Sequence, residues 1–249
     1  MINFNNKKGF IPFITAGDPN MDSTLKYLNT LVDAGASLIE IGIPFSDPIA
    51  EGSIIMEADE RALSNGANIS KIFDLVKEFR KSNKDFPLCF MTYLNPLYAY
   101  GYDNFFKTMQ SLNMQGIIIP DLPYEEMHEV KDITSKYNVS TISFIAPTSI
   151  KRIEKIASSA EGFIYLTSFG GTDDNTINDI SNVVKEIKKY TDIPVCIEVE
   201  SLNNLNKLAN VVDGIIASSS IESIIAIDFE NAQNKIFEFT KEIIDEINK

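Results

Sequence analysis

Glu40 stands in Ser37-Leu38-Ile39-Glu40-Ile41-Gly42-Ile43-Pro44, an ionisable side chain inside a run that otherwise reads as a β-strand. Strand alternation puts Leu38, Glu40 and Gly42 on one face and Ile39, Ile41 and Ile43 on the other. The all-isoleucine face suits a covering layer of helices, so Glu40 should point to the enclosed side of the sheet. A carboxylate that loses solvent there has its pKa raised toward the range useful for proton transfer. The competing reading is a structural glutamate paired with a buried Lys or Arg, but no strand-like run in the chain offers that partner. Eleven residues later Glu51 follows in Ser46-Asp47-Pro48-Ile49-Ala50-Glu51-Gly52, whose turn chemistry marks a loop. Alone it would read as a solvated loop acid. Beside Glu40, the pair could act on one substrate in acid and electrostatic roles.

Other chemistries are poorly supplied. The single histidine, His128, lies in the polar helical stretch Glu125-Glu126-Met127-His128-Glu129-Val130 and reads as a solvated helix residue, which disfavours histidine triads and catalytic zinc sites. Neither GxGxxG nor GxxxxGK[ST] occurs, so a nucleotide fold has no fingerprint. Lys+Arg 22 against Asp+Glu 35 gives a net charge of −13, which repels nucleic-acid backbones and anionic membrane surfaces. No apolar run is long enough to cross a bilayer, and the opening Met1–Lys8 lacks the apolar core of a secretory signal. Cys89 and Cys196 both sit in apolar runs and read as buried thiols in a reducing cytosol. These features predict a soluble cytoplasmic protein.

The elements that position the carboxylates follow from periodicity. Strand-like runs occupy 9–17, 37–45, 87–95, 116–122, 140–146, 162–169, 194–200 and 212–218. Between them lie stretches with helical spacing, such as Thr24, Leu25, Leu28 and Leu31, or Ile177, Ile180, Val183, Val184 and Ile187. The runs are nearly continuously apolar, as parallel strands covered on both faces require. Eight βα units without a composition break predict an α/β fold of the (β/α)8 TIM-barrel type, a single domain over residues 1–249. Barrel chemistry sits at the C-terminal ends of the strands, where this chain carries Ala16-Gly17-Asp18-Pro19, Asn95-Pro96, Pro120-Asp121-Leu122-Pro123 and Ser218-Ser219-Ser220.

Four segments carry a resemblance: Phe13-Ile14-Thr15-Ala16-Gly17-Asp18-Pro19, Ile39-Glu40-Ile41-Gly42-Ile43-Pro44-Phe45-Ser46-Asp47-Pro48, Met91-Thr92-Tyr93-Leu94-Asn95-Pro96 and Ile119-Pro120-Asp121-Leu122-Pro123. In order and spacing they resemble the tryptophan synthase alpha subunit family. The resemblance implies a barrel lyase that cleaves indole-3-glycerol phosphate to indole and glyceraldehyde 3-phosphate by a retro-aldol step without a cofactor or metal. It implies a pyridoxal-phosphate beta subunit as partner, in an alpha-beta-beta-alpha complex. It puts proton transfer on Glu40, the bond to the indole N–H on Glu51 in place of the family's aspartate, and support of the catalytic glutamate on Tyr165. The extra methylene of Glu51 moves its oxygens by about an ångström, a displacement that can cost on the order of 10²-fold in rate unless the loop adjusts. Phe13, Ile55, Met91, Tyr93 and Ile118 fall where the family lines its indole pocket, and Gly171 and Ser219 where it holds the phosphate.

Departures cluster around that phosphate. Ile197-Glu198-Val199 replaces the family's Gly-Phe-Gly, with Glu198 predicted to point where the anion would lie. Ser218 replaces a glycine, and Asp173 and Asp174 stand where the family has a Val-Thr-Gly lid. Only about nine residues precede the first strand, so most of the family's leading helix is missing. Two further readings stay open beside the lyase: a catalytically weakened alpha-like partner of a beta subunit, and a barrel lyase for an unphosphorylated indole compound.

Overall fold

A computed structural model describes Phe4 and residues 7–249; the rest of the opening stretch lies outside the described residues. Nine parallel strands form one sheet: β1 (Gly9–Thr15), β2 (Ile39–Gly42), β3 (Leu88–Met91), β4 (Gly116–Ile118), β5 (Ser140–Thr141), β6 (Ser143–Ile145), β7 (Ile164–Leu166), β8 (Val195–Glu198) and β9 (Gly214–Ala217). Their order around the sheet is β5-β4-β3-β2-β1-β9-β8-β7-β6. The two ends of that series are halves of one predicted run. The Ile142 N–H still donates to Ile117 O at 2.9 Å on the β4 side, and from Ser143 the chain pairs with Ile164 of β7. The fifth strand thus passes from one neighbour to the other, and the ring nearly closes into a (β/α)8 barrel.

The helices wrap this ring: α1 (Met21–Ala34), α2 (Ser53–Ser64), α3 (Ile69–Phe79), α4 (Leu94–Tyr100), α5 (Tyr102–Ser111), α6 (His128–Lys136), α7 (Ile153–Ser158), α8 (Asp174–Ile187), α9 (Leu205–Ala209), α10 (Ser219–Ile227) and α11 (Ala232–Ile247). The Asn20 side chain caps α1 by accepting the Ser23 N–H, and Gly35 ends it at φ +100°, a left-handed conformation that glycine adopts without steric cost. The five apolar residues picked out between 177 and 187 are all buried on α8, whereas Leu25 on α1 is only half-buried.

Alternation divides the apolar residues as predicted. Ile39, Ile41 and Ile43 join the large cluster between sheet and helices, while Leu38, Cys89, Ile118, Ile142, Phe163, Tyr165, Cys196, Ile11 and Ile216 fill the barrel interior. Both cysteines are free and fully buried there. Several strands stop earlier than their apolar runs. The third predicted run reached residue 95, but α4 begins at Leu94, whose N–H donates to the Asp121 carboxylate at 3.0 Å. An acid at a helix N-terminus stabilises the unpaired N–H groups, and Asp121 does so from the neighbouring loop. Among the described residues no helix is long and apolar enough to cross a membrane.

Candidate active site

Glu40 projects inward from β2, in register with Phe13 of β1 and Cys89 of β3. It is fully buried, and neither carboxylate oxygen has a hydrogen-bond partner among the described residues. Burial pushes its carboxyl well above the usual range, and the charge of Glu198 adds to the rise. An acid with no donor around it is far more stable neutral than ionised, so Glu40 is built to hold a proton. The next inward position on β2 is Gly42. A Cβ there would come within 2.4 Å of Phe13 Cζ, so glycine is what lets the phenyl ring lie across the strand.

Above this floor a cavity of about 260 Å³ opens at the C-terminal ends of the strands. Its wall includes Phe13, Glu51, Ile55, Met91, Phe144, Tyr165, Glu198, Glu200, Ser218 and Ser219. Glu40 does not reach that wall; its register partner Phe13 does. Two larger hollows, of about 510 and 450 Å³, lie beside Met56 and Leu63 and beside Ala67 and Tyr100. Neither contains an inward-facing strand residue, so the smaller cavity is the one with chemistry.

Glu51 enters the cavity from the loop after β2, and the Tyr93 hydroxyl donates a hydrogen bond to it. The same phenol oxygen accepts the N–H groups of Ile49 (3.2 Å) and Ala50 (3.0 Å). Tyr93 therefore ties three successive loop residues to the end of β3. Burial raises the Glu51 carboxyl while the Tyr93 bond lowers it, and burial raises the Tyr93 phenol.

Tyr165 is buried on β7, with its ring 4.8 Å from that of Phe144. Burial raises its phenol well above the usual value, and the charges of Glu198 and Glu40 raise it further. Glu198, half-buried at the end of β8, accepts a hydrogen bond from Ser218 Oγ at 3.0 Å. Burial raises its carboxyl and the Ser218 donor opposes the rise. Its side chain does face the cavity, as strand alternation predicted.

Several expected positions need correction. Tyr93 and Ile118 do not line the cavity: the first is the loop tie just described, and the second is fully buried in the barrel interior. Gly171 lines a separate narrow cleft, of about 10 Å³, that shares only Glu198 and Glu200 with the main cavity. Asp173 and Asp174 do not form an acidic lid. Asp173 caps α8 by accepting the N–H groups of Asn175 and Thr176, and those bonds together with one from the Thr176 hydroxyl lower its carboxyl. Asp174 pairs with Lys207 at 2.7 Å. The acidity at the mouth thus comes from strand residues.

Beside this site lies a set of buried acids that sequence reasoning missed. Asp18 is held by Arg61 through two bonds of 2.9 and 2.8 Å. Glu222 of α10 accepts the Thr15 N–H at 2.5 Å, and Asp59 of α2 accepts the Phe45 N–H at 3.4 Å. Burial raises Asp59 to about 7 and Glu222 to about 8. The available signal was an acid among Ile221, Ile224 and Ile225. His128 is exposed, and its Nδ1 lies 3.3 Å from Glu125 O.

Known proteins resemble this chain over nearly its whole length. Residues 1–248 match the family described as tryptophan synthase alpha chain. The tryptophan synthase alpha chain of Lacticaseibacillus casei is 42% identical over 245 residues, covering 96% of this chain and 92% of that one. That of Lactiplantibacillus plantarum is 40% identical over 229 residues, covering 90% and 86%. Among solved structures, tryptophan synthase subunit alpha from Legionella pneumophila superposes with a TM-score of 0.89 at 30% identity, covering 98% of this chain and 94% of that one.

Proposed function

The chain belongs to the tryptophan synthase alpha chain family, and from that premise we propose that it is a carbon–carbon lyase of tryptophan biosynthesis, cleaving indole-3-glycerol phosphate to indole and glyceraldehyde 3-phosphate. The observation that carries the proposal is Glu40, a buried inward-facing acid without a hydrogen-bond partner among the described residues, beneath the cavity at the barrel mouth. A retro-aldol cleavage begins with a proton delivered to C3 of the indole, which leaves a cationic ring nitrogen. Loss of the glycerol hydroxyl proton then drives electrons into a carbonyl, the bond to C3 breaks, and its pair returns to the ring. The net change is one proton moved from oxygen to carbon.

Each requirement has a residue. Glu40 is the acid for C3. Glu51, tied down by Tyr93, accepts the indole N–H and stabilises the cation, with the tie offsetting its extra methylene. Phe13, Ile55 and Met91 supply the apolar walls, and Tyr165 supports Glu40. Ser219 opens α10, whose first N–H groups suit a phosphate. The whole chain, residues 1–249, acts as one barrel domain in the cytoplasm. Its partner is a beta subunit in an alpha-beta-beta-alpha complex. Ile49 (78% exposed) in the loop after β2, Met56 (46%) on α2 and Tyr98 (76%) on α4 give the segments after β2 and β3 the exposed apolar side chains that such docking uses.

The test is indole release from indole-3-glycerol phosphate by the purified protein, alone and with a beta subunit. Glu40→Gln should be slower by about 10²-fold or more, the usual contribution of a general acid. A wild-type rate no better than that of Glu40→Gln under both conditions would end the proposal.

A further inference from the structure

The cleavage just proposed needs proton transfers in two directions, one onto carbon and one off a hydroxyl. Two inward carboxyls stand three strands apart around the ring, Glu40 on β2 and Glu198 on β8. Their surroundings differ. Glu40 is sealed in, with no donor to either oxygen. Glu198 opens on the cavity and has a serine hydroxyl donating to it. Burial raises both carboxyls, Glu40 well above the usual range and Glu198 with its donor opposing the rise, so Glu198 gives up its proton at lower pH than Glu40. When two carboxyls in one site titrate apart, they can take opposite roles. Tyr165 and Glu51 also face this space, Glu200 lies beside Glu198, and among the described residues no Lys, Arg or His lines the cavity. A proton shared among these groups has no cation to displace it.

We propose that Glu198 is a second proton-transfer residue of the site: the general base that takes the glycerol hydroxyl proton while Glu40 gives its own to C3 of the indole. This rests on the lyase reading. The step balances. Glu40 passes from acid to carboxylate, Glu198 from carboxylate to acid, the C–C bond breaks, and one proton returns between the two carboxyls through water before the next turnover. The charge of Glu198 also favours the protonated form of Glu40, so the two residues reinforce each other's assignment.

The experiment is the pH profile of indole release by the purified full-length chain acting on indole-3-glycerol phosphate. The wild-type rate should rise with pH as Glu198 ionises and fall as Glu40 does. Glu198→Gln should lower kcat by about 10²-fold or more, remove the acid limb, and move the alkaline limb to lower pH because Glu40 has lost a neighbouring charge. Ser218→Ala removes a donor to Glu198 and keeps its carboxyl, so the acid limb should move to higher pH. A merely structural role for Glu198 would lower the rate and leave the acid limb in place, because the alkaline limb answers to its charge alone. If circular dichroism shows Glu198→Gln unfolded, the Ser218→Ala profile decides. A wild-type acid limb retained in Glu198→Gln, or in Ser218→Ala where that profile decides, overturns the inference alone. A wild-type rate no better than that of Glu40→Gln overturns the lyase reading and the inference with it.

Discussion

Removing the charge of Glu198 should strengthen the binding of any phosphate-bearing ligand in the cavity. A rounded cavity of about 260 Å³ is about 8 Å across, so an anion held in it lies within about 8 Å of the Glu198 carboxylate. Two unit charges at that distance repel by about 2 kcal/mol at an effective dielectric near 20, and by about 0.5 kcal/mol if water screens them fully. Glu198 is half-buried and lines the cavity, so the effect falls between these limits. The corresponding gain is between about twofold and 30-fold in affinity. Glycerol phosphate is a suitable probe and isothermal titration calorimetry the assay, with glycerol as the neutral control. Glu198→Gln tests the charge alone. Glu198→Gly adds the backbone freedom with which glycine lets an anion approach closely. Both variants should bind glycerol phosphate more tightly at pH 7, and the advantage should shrink between 0.1 and 1 M salt as the screening length falls from about 10 to about 3 Å. Equal dissociation constants for wild type and both variants would refute the reasoning, because no anion in that cavity can escape the field of Glu198.

Tyr93→Phe removes the donor to Glu51 and the acceptor for the Ile49 and Ala50 N–H groups, so kcat for indole release should fall by about 10-fold or more while thermal stability changes little; an unchanged kcat would mean that the loop sets Glu51 unaided. Gly42→Ala puts a Cβ against Phe13 and should destabilise the fold by about 1–3 kcal/mol in urea denaturation, and Phe13→Leu in the same chain should recover part of that loss. Burial raises the Glu222 carboxyl from its ordinary 4.5 to about 8, so its contribution is complete below about 4.5 and is lost as pH rises toward 8. Urea stability should therefore decline over that window by an amount on the order of a few kcal/mol, with Asp59, raised to about 7, adding to the slope. Glu222→Gln should flatten the decline, and a variant as steep as wild type would show that Glu222 is not the titrating group.

The parts of the barrel that were legible in the sequence are those governed by one local rule. Continuous apolar runs mark strands covered on both faces, and a period of two assigns Ile39 and Ile41 to the helix layer and Glu40 to the interior. The same rule brought Glu198 into the cavity without any knowledge of its neighbours. It fails where position depends on a contact from elsewhere in the chain. Tyr93 alternates inward as a pocket residue should, yet its hydroxyl is taken by a loop more than 40 residues earlier, and nothing local to β3 announces that. Asp173 was legible as a helix cap from the Thr176 that follows it, but its place after a strand end drew it into the phosphate argument. Glu222 and Asp59 sit on helices, where an acid ordinarily meets water; only the packing of α10 and α2 against β1 and against each other buries them. The acids misread by sequence are thus helix and loop acids, whose burial is a property of tertiary contacts. The strand acids Glu40 and Glu198 were placed correctly because a barrel has one interior, and alternation leaves an inward carboxylate nowhere else to go. That confinement leaves both acids in one barrel interior, where the charge of Glu198 adds to the rise that burial imposes on Glu40.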